Sequence, residues 1–237
     1  PESRPRHETL RNLELGYKHQ RNQAELGLNF YLMDYKDQLI LTGEINDVGG
    51  FTRTNIEESY RYGVELEGQY RFSSLLSLSG NLTLSRNKIP EFIEFSDKYD
   101  NDWNWTGTDV RTYEDTDIAF SPSVIAYSQL SIRPLEDLAL FIEGKYVGSQ
   151  YIDNTMSSDR MLDAYLVNNL RLNYSIFPYN FGELEFVLQL NNLFDVKYET
   201  NAWIYKGVVG DRGLTVIEDG YFPQAGRHIM AGINIRF

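Results

Sequence analysis

The sequence contains no cysteine and only three histidines among its 237 residues. Without cysteine the chain has no disulfides, thiolate metal sites or cysteine nucleophiles, although this leaves its compartment open. His7, His19 and His228 lie in different segments, so no pair has the spacing of metal ligands. The G-x-S-x-G pattern of serine hydrolases is missing as well. The sequence therefore predicts no enzyme, no cofactor and no metal centre.

Long apolar runs and basic charge are also scarce. The apolar runs span only a few residues, such as Leu39 to Leu41, whereas a membrane helix needs about 20. Residues 1–11 are charged and contain prolines, without the apolar region of a signal peptide, so we expect a mature or truncated chain. The 22 basic and 34 acidic residues give a net charge of -12. This charge disfavours nucleic acid and other polyanions as partners.

Aromatic residues and glycine are abundant, with 33 aromatic side chains, 17 of them tyrosine, and 18 glycines. This composition favours strands over helices. From Tyr60 to Phe72, the even positions are apolar or aromatic except for Gly68, and the odd positions hold no large apolar residue. Because successive side chains of a strand point to opposite faces, this segment is a two-faced strand.

The same alternation recurs along the whole chain. It predicts nine strands and no helix, and the apolar positions run through Leu13–Tyr17, Ala24–Leu32, Tyr60–Phe72, Leu76–Leu84, Val124–Ile132, Leu138–Tyr146, Leu166–Ile176, Leu184–Leu190 and Ile229–Phe237. The connections between these strands are alternately short and long. The short ones are 20–23, 73–75, 134–137 and 178–182, and the long ones, which we expect to be structureless loops, are 42–59, 89–120, 151–164 and 200–222. Short turns at one end of a sheet and long loops at the other are typical of outer-membrane barrels.

Two fold classes fit the alternation. A transmembrane antiparallel β-barrel places its apolar face in lipid, whereas a soluble β-sandwich buries that face between two sheets. Strand length favours the barrel, because Tyr60–Phe72 spans 13 residues. Soluble strands usually have about 5 or 6 residues, and about 9 to 11 span a bilayer. We therefore expect an all-β transmembrane barrel.

Four stretches resemble the C-terminal part of a TonB-dependent outer-membrane receptor. They are Pro1-Glu2 followed by Leu13-Glu14-Leu15-Gly16-Tyr17-Lys18, then Tyr62-Gly63-Val64-Glu65-Leu66-Glu67, then Asn191-Asn192-Leu193-Phe194-Asp195 with Lys197-Tyr198, and finally Gly226-Arg227 before the last strand. A blander interpretation of the third stretch is a strand end and turn, because Asn and Asp bond their own backbone and tolerate turn geometry.

The resemblance implies a barrel of about 22 strands with a plugged lumen. Nine strands cannot close such a barrel. We therefore expect residues 1–237 to be the C-terminal portion of a single barrel domain, as a fragment or as one piece of a split protein. On this interpretation the plug and the earlier strands lie elsewhere.

The resemblance also implies a function. Such a receptor lies in the outer membrane of a Gram-negative cell and imports a scarce nutrient, most often a ferric siderophore, with energy from the TonB complex. Haem, cobalamin and glycans remain open as substrates. The alternatives are a passive porin-like channel and a soluble β-sandwich binding module.

The final strand carries a further implication of the resemblance. Ile233, Ile235 and Phe237 match the terminal pattern by which the barrel-assembly machinery recognises members of the family. The alternative is an ordinary amphipathic strand.

Aromatic residues of the long connections are the candidate substrate-binding residues: Trp103, Trp105, Tyr113, Trp203 and Tyr205. Trp and Tyr offer large, rigid contact area with a polar tip, which suits a ligand cage. The alternative for Trp103 and Trp105 is the aromatic girdle that membrane barrels carry at the interface.

Residues 89–120 also hold nine carboxylates and two basic residues. Asp97, Asp100 and Asp102 offer oxygen ligands of the kind that calcium takes, but their spacing does not match an EF-hand loop and a solvated surface is favoured.

Overall fold

The structure, a computed structural model, describes residues 5–45, 48–179, 182–210 and 213–236. It contains fourteen β-strands: β1 (Thr9–Arg21), β2 (Ala24–Ile45), β3 (Phe51–Arg71), β4 (Leu76–Tyr99), β5 (Trp105–Asp117), β6 (Val124–Leu135), β7 (Leu138–Val147), β8 (Gln150–Tyr151), β9 (Met161–Leu162), β10 (Tyr165–Ile176), β11 (Glu183–Asn191), β12 (Glu199–Val209), β13 (Leu214–Pro223) and β14 (His228–Arg236). Within these residues there is no helix with the length and apolarity needed to cross a membrane.

The nine predicted segments form one antiparallel meander. Strands β1, β2, β3, β4, β6, β7, β10, β11 and β14 pair in that order. The pairing register places apolar residues opposite apolar residues: Phe30 lies opposite Val64, and Val64 lies opposite Leu84. The all-β prediction and the pairing of neighbouring segments are confirmed.

The apolar face of this meander is open. Leu32, Leu84 and Leu188 are 47%, 47% and 48% exposed, although they lie on the face that a soluble sandwich would bury. No second sheet covers this face within the described part of the chain. An apolar face of this extent marks contact with a lipid or a partner.

The prediction of structureless long loops is wrong. Strand β2 continues to Ile45 and pairs there with Phe51 of β3, and β4 continues to Tyr99 and pairs with β5. Residues 200–222 lie largely in the hairpin of β12 and β13, and the loop 151–164 includes part of the small β8–β9 pair. We call the segments 36–58, 89–117, 150–162 and 199–223 the rim hairpins.

Within each of these extended strands the buried side chains switch from one face to the other. The apolar alternation of the sequence is interrupted there, so it does not reveal the extensions. Ile89 and Phe92 are both buried, at 0% and 4% exposure, yet they are three residues apart and cannot share a face of a regular strand. Pro90 lies between them, and Asp115, which lies between the paired residues Glu114 and Thr116 of β5, has a left-handed φ of 50°. Asp37 of β2 also has a left-handed φ, of 55°. Aspartate tolerates this conformation better than most residues, so the buried face shifts by one residue at each site.

The buried apolar residues lie mainly in and beside the rim hairpins. One cluster contains Ile40, Ile56, Ile89, Phe92 and Ile118, with Tyr113 packed against it. A second cluster contains Ile152, Leu162, Ala202 and Ile204, with Phe120 packed against it. The rim hairpins therefore contain two packed apolar clusters, at one end of the meander.

The Asn191–Asp195 motif begins at the end of β11 and is hydrogen-bonded to the segment that precedes β14. Asn192 and Asp195 have left-handed φ values of 49° and 55°. The Asn192 carboxamide accepts the Val196 N–H at 2.9 Å and donates to the Ala225 carbonyl at 3.2 Å. Asp195 Oδ1 accepts the Arg227 N–H at 2.8 Å. These bonds agree with the interpretation of the motif as a strand end and turn.

The last described strand carries two of the three residues in the predicted assembly signal. Ile233 lies opposite Phe186 and Ile235 lies opposite Leu184. Both isoleucines are more than half exposed on the apolar face. Phe237 lies outside the described residues.

Candidate functional site

Strands of two rim hairpins join into one small sheet. Gly207, Val208 and Val209 of β12 pair in parallel with Asp97, Lys98 and Tyr99 of β4. With β13 on one side and β5 on the other, this gives the order β13, β12, β4, β5, which we call the rim sheet. Its two faces differ in burial and in chemistry.

One face of the rim sheet is buried and holds a charged cluster. Ala202, Ile204, Lys206 and Val208 alternate along β12, and all are buried. The Lys206 ammonium donates to Glu94 Oε1 in an ion pair whose side chains are 1% and 6% exposed. The Tyr113 hydroxyl donates to the other carboxylate oxygen of Glu94 at 3.0 Å. Glu94 thus accepts from two different strands, β12 and β5.

Glu44 brings a second carboxylate to this cluster. Its residue pairs with Ile204, which places it on the same face as Lys206. The pKa of Glu44 is raised from 4.5 to about 7, mainly by burial and also by the nearby charge of Glu94, while Lys206 opposes the shift. Burial and the neighbouring Glu94 carboxylate also raise the pKa of the Tyr113 hydroxyl. The cluster therefore holds two carboxylates and one ammonium in a poorly hydrated place.

The opposite face of the rim sheet is exposed and aromatic. The hydroxyls of Tyr99 and Tyr205 lie 3.4 Å apart, and the Tyr99 ring packs over Gly207. Trp105 lies opposite Tyr99 in the β4–β5 pair, and its indole N–H donates to Asp97 Oδ1 at 3.1 Å. Trp105 is 63% exposed. The face therefore presents several rings to its surroundings.

Trp103 extends this row at the tip of the β4–β5 hairpin. Its ring centroid lies 6.0 Å from that of Tyr99, with the planes tilted by 46°. The residue has a left-handed φ of 63°, which is uncommon for a bulky side chain, and the side chain is 61% exposed. Trp203 lies on the same face of β12 as Tyr205, and its indole occupies the space that a Cβ at Gly220 would need.

The structure thus divides the five predicted binding residues between two faces. Trp103, Trp105 and Tyr205 surround Tyr99, and Trp203 lies two residues along β12 on the same face. Tyr113 lies on the opposite face, where it bonds to Glu94. Sequence reasoning missed Tyr99, Glu94 and Lys206. Sequence signals could have found two of them: Tyr99 lies four residues before Trp103, and Lys206 is the lone lysine of the apolar stretch 202–209.

One carboxylate at the acidic tip of the β4–β5 hairpin, that of Asp100, has a structural role. Asp100 Oδ1 accepts the backbone N–H of Asp102 at 2.9 Å and that of Asn104 at 2.8 Å. Hydrogen bonds from the side chain and backbone of Asn104 lower the pKa of Asp100. Across the described ranges, no group of three acidic, histidine or cysteine side chains is arranged to hold a metal ion. Asp100 therefore stabilises the turn as a charged cap.

A sequence family and several solved structures are similar to this chain. The family model described as TonB dependent receptor-like, beta-barrel matches residues 6–193. No curated protein matches the sequence. The closed form of the ferric-catecholate import receptor Fiu from K12 E. coli is 18% identical with a TM-score of 0.60, over 97% of this chain and 28% of that chain.

Two further solved structures show the same likeness. The ferric yersiniabactin uptake receptor FyuA from Yersinia pestis is 20% identical with a TM-score of 0.59, over 95% of this chain and 29% of that one. The copper transporter OprC is 16% identical with a TM-score of 0.65, over 97% of this chain and 32% of that one. At these identities the likeness establishes the fold. The chain spans roughly three tenths of the length of these receptors.

Proposed function

Because the chain belongs to the β-barrel family of the TonB-dependent receptors, we propose that it forms part of an outer-membrane receptor that imports a ferric siderophore. The TonB complex supplies the energy, through regions of the receptor beyond this chain. The ligand binds at the rim hairpins, and the nine-stranded meander lies in the lipid of the outer membrane of a Gram-negative cell. The barrel-assembly machinery inserts the barrel and recognises its last strand.

The exposed aromatic face of the rim sheet is the observation that carries this proposal. Tyr99, Trp103, Trp105 and Tyr205 are contributed by two hairpins and come together at one end of the sheet. Aromatic rings with polar tips provide large contact area at low cost in conformational entropy. The pairing of β4 with β3 ends at Lys88, and these rings lie beyond that point, in the rim hairpins. An aromatic girdle at the membrane interface would not require rings there.

The likeness to solved receptors supports the choice of ligand. Two of the three similar structures are described as receptors for ferric complexes, and the third as a copper transporter. All three proteins are thus described as handling a metal or a metal complex. A ferric siderophore is therefore a better candidate than cobalamin, haem or a glycan. A soluble sandwich is disfavoured by the open apolar face of the meander.

The test measures uptake of iron-55 by cells that express the full-length receptor. We expect a triple variant, Trp103→Ala, Trp105→Ala and Tyr205→Ala, to lose at least about 90% of the uptake rate, the equivalent of about 1.4 kcal/mol. Tyr179→Ala is the matched control, because Tyr179 is 101% exposed in the short connection at the other end of the sheet. Its uptake should equal that of the unmodified receptor.

Two further measurements make the result decisive. Heat-modifiable migration on gels shows whether equal amounts of folded barrel reach the membrane. Uptake in cells without TonB separates active import from passive flow, because a porin-like channel would continue to conduct. Full uptake by the triple variant would exclude the rim sheet as the binding site, and TonB-independent uptake would exclude active import.

A further inference from the structure

The aromatic face of the rim sheet is a continuous platform made by two hairpins. Tyr99 lies at its centre. Its hydroxyl is 3.4 Å from the hydroxyl of Tyr205, and its ring centroid is 6.0 Å from that of Trp103. Trp105 lies opposite Tyr99 across the β4–β5 pair. Because Trp105, Tyr99 and Tyr205 come from β5, β4 and β12, which pair in that order, their spacing is fixed by the sheet.

Carboxylates surround this platform. Asp97 accepts the Trp105 indole N–H at 3.1 Å, so its charge lies against the ring. Glu218 of β13 lies opposite Tyr205 and therefore on the same face. Asp100 and Asp102 lie at the hairpin tip beside Trp103. Between residues 97 and 105 the sequence has three carboxylates and one basic residue, Lys98.

Ring electrostatics and carboxylate charge act in the same direction. The face of an aromatic ring carries negative potential, so it attracts cations and gives no favourable contact to anions. Hydrogen bonds from Asn104 lower the pKa of Asp100, which keeps that carboxylate ionised at neutral pH. Like charges brought together at an interface oppose binding and slow association.

We infer that the aromatic platform selects ferric complexes of neutral or positive net charge and rejects anionic complexes such as tris-catecholates. This inference rests on the proposed function, and it narrows the substrate class within it. The platform supplies contact area to an organic ring or apolar surface of the ligand, and the carboxylates supply the charge discrimination. A receptor with the same fold and a basic platform would have the opposite preference.

The test compares three ferric complexes on the full-length receptor in detergent. The probes are ferrioxamine B, which is cationic, ferrichrome, which is neutral, and ferric enterobactin, which is anionic. Quenching of tryptophan fluorescence and calorimetry give the Kd of each. We expect the cationic and neutral complexes to bind at least about tenfold more tightly than the anionic one. The difference should shrink when ionic strength rises to about 1 M, where the Debye length is about 3 Å.

Charge-neutral variants isolate the role of the carboxylates. In the variant with Asp97→Asn, Asp102→Asn and Glu218→Gln, the Kd for the anionic complex should fall at least about tenfold, with a change of less than about threefold for the neutral one. Asp100 is left intact because it caps the turn. The control removes three exposed carboxylates outside the platform, in Glu57→Gln, Glu58→Gln and Glu91→Gln. It should leave all three Kd values within about twofold.

The outcomes separate this inference from the proposed function. If the anionic complex binds as tightly as the others while iron uptake is normal, the charge selection is wrong and the proposed function stands. If the platform variant and the control shift the Kd values equally, the selection does not come from the platform. If none of the three complexes binds and none is imported, the proposed function fails and this inference fails with it.

Discussion

Lys206 of β12 and Glu94 of β4 form an ion pair inside the rim hairpins, with side chains only 1% and 6% exposed. The two residues are 112 positions apart in sequence. Glu94 also accepts the Tyr113 hydroxyl at 3.0 Å, so both of its oxygens have donors. A buried pair of this kind adds little net stability over an apolar pair, but it makes the loss of one partner costly. The pair therefore fixes how the β12–β13 hairpin lies against β4.

Replacing Lys206 with methionine should loosen the β12–β13 hairpin. The change leaves the Glu94 carboxylate buried without its cation, which costs about 3 to 5 kcal/mol. Amide hydrogen exchange of residues 202–209 in the full-length receptor should become at least about tenfold faster. The double variant Lys206→Met with Glu94→Gln should recover part of that protection. Lys36→Met, at an exposed lysine of β2, serves as the control. Equal exchange in both lysine variants would contradict a structural role of the pair.

The sequence predicts the meander well because each of its strands keeps one apolar and one polar face. Neighbouring strands are joined by short connections or pair in sequence order, so local alternation is enough to define them. The rim hairpins follow a different pattern. The shift of the buried face at Asp37 and at Asp115 breaks the period of two, and a sequence reading ends the strand there.

The candidate site is predicted only in part, for the same physical reason. Aromatic composition is enough to propose Trp103, Trp105 and Tyr205 as candidates. The side on which Tyr113 lies depends on the register of β5 after the shift at Asp115, which no local pattern reveals. The pairing of Glu94 with Lys206 depends on the parallel contact between β4 and β12, which joins segments distant in sequence.

Glu44 should make the stability of the rim hairpins depend on pH. Its pKa is raised from 4.5 to about 7, mainly by burial. A raised carboxyl pKa means that the folded state favours the protonated form, so Glu44 does not lower the free energy of unfolding below about pH 4.5. This free-energy cost of ionised Glu44 grows as pH rises from about 4.5 to about 7, and it is constant above that. Because one unit of pKa corresponds to about 1.4 kcal/mol, this cost reaches roughly 3 kcal/mol.

Glu44→Gln removes this titration and tests the prediction. Amide exchange of residues 202–209 should be slower in the variant than in the unmodified receptor at pH 8, and equal in the two at pH 4.5, after correction for intrinsic exchange. Lys206, Glu94, Asp153 and Asp97 also act on Glu44, and none of them is substituted in the variant. Glu91→Gln, at an exposed carboxylate of β4, provides the control. A difference that does not change with pH would contradict the raised pKa.

Asn154 should be essential to the packing between three rim segments. Its carboxamide is fully buried, donates to the Leu41 carbonyl at 2.8 Å and accepts the Ala119 N–H at 2.8 Å. Asn154→Ala leaves both backbone groups unsatisfied, at a cost of about 1 to 3 kcal/mol for each. Limited proteolysis between residues 150 and 162 should become several-fold faster. Ser158→Ala, at an exposed position of the same loop, should cleave at the original rate.

The last strand allows a direct test of which face of the meander contacts lipid. Ile235 lies on the apolar face of β14, opposite Leu184, and Gly232 lies on the polar face of the same strand. A Cβ at Gly232 would meet no atom within 4 Å, so asparagine fits there without a clash. Ile235→Asn places a carboxamide in the apolar environment, where an unpaired polar group is costly. We expect Ile235→Asn to lower the heat-modifiable, membrane-inserted fraction of the full-length receptor several-fold, and Gly232→Asn to leave it near the original value. If the two asparagine variants assemble equally well, or if Gly232→Asn is the poorer one, the apolar face of the meander does not lie in the bilayer.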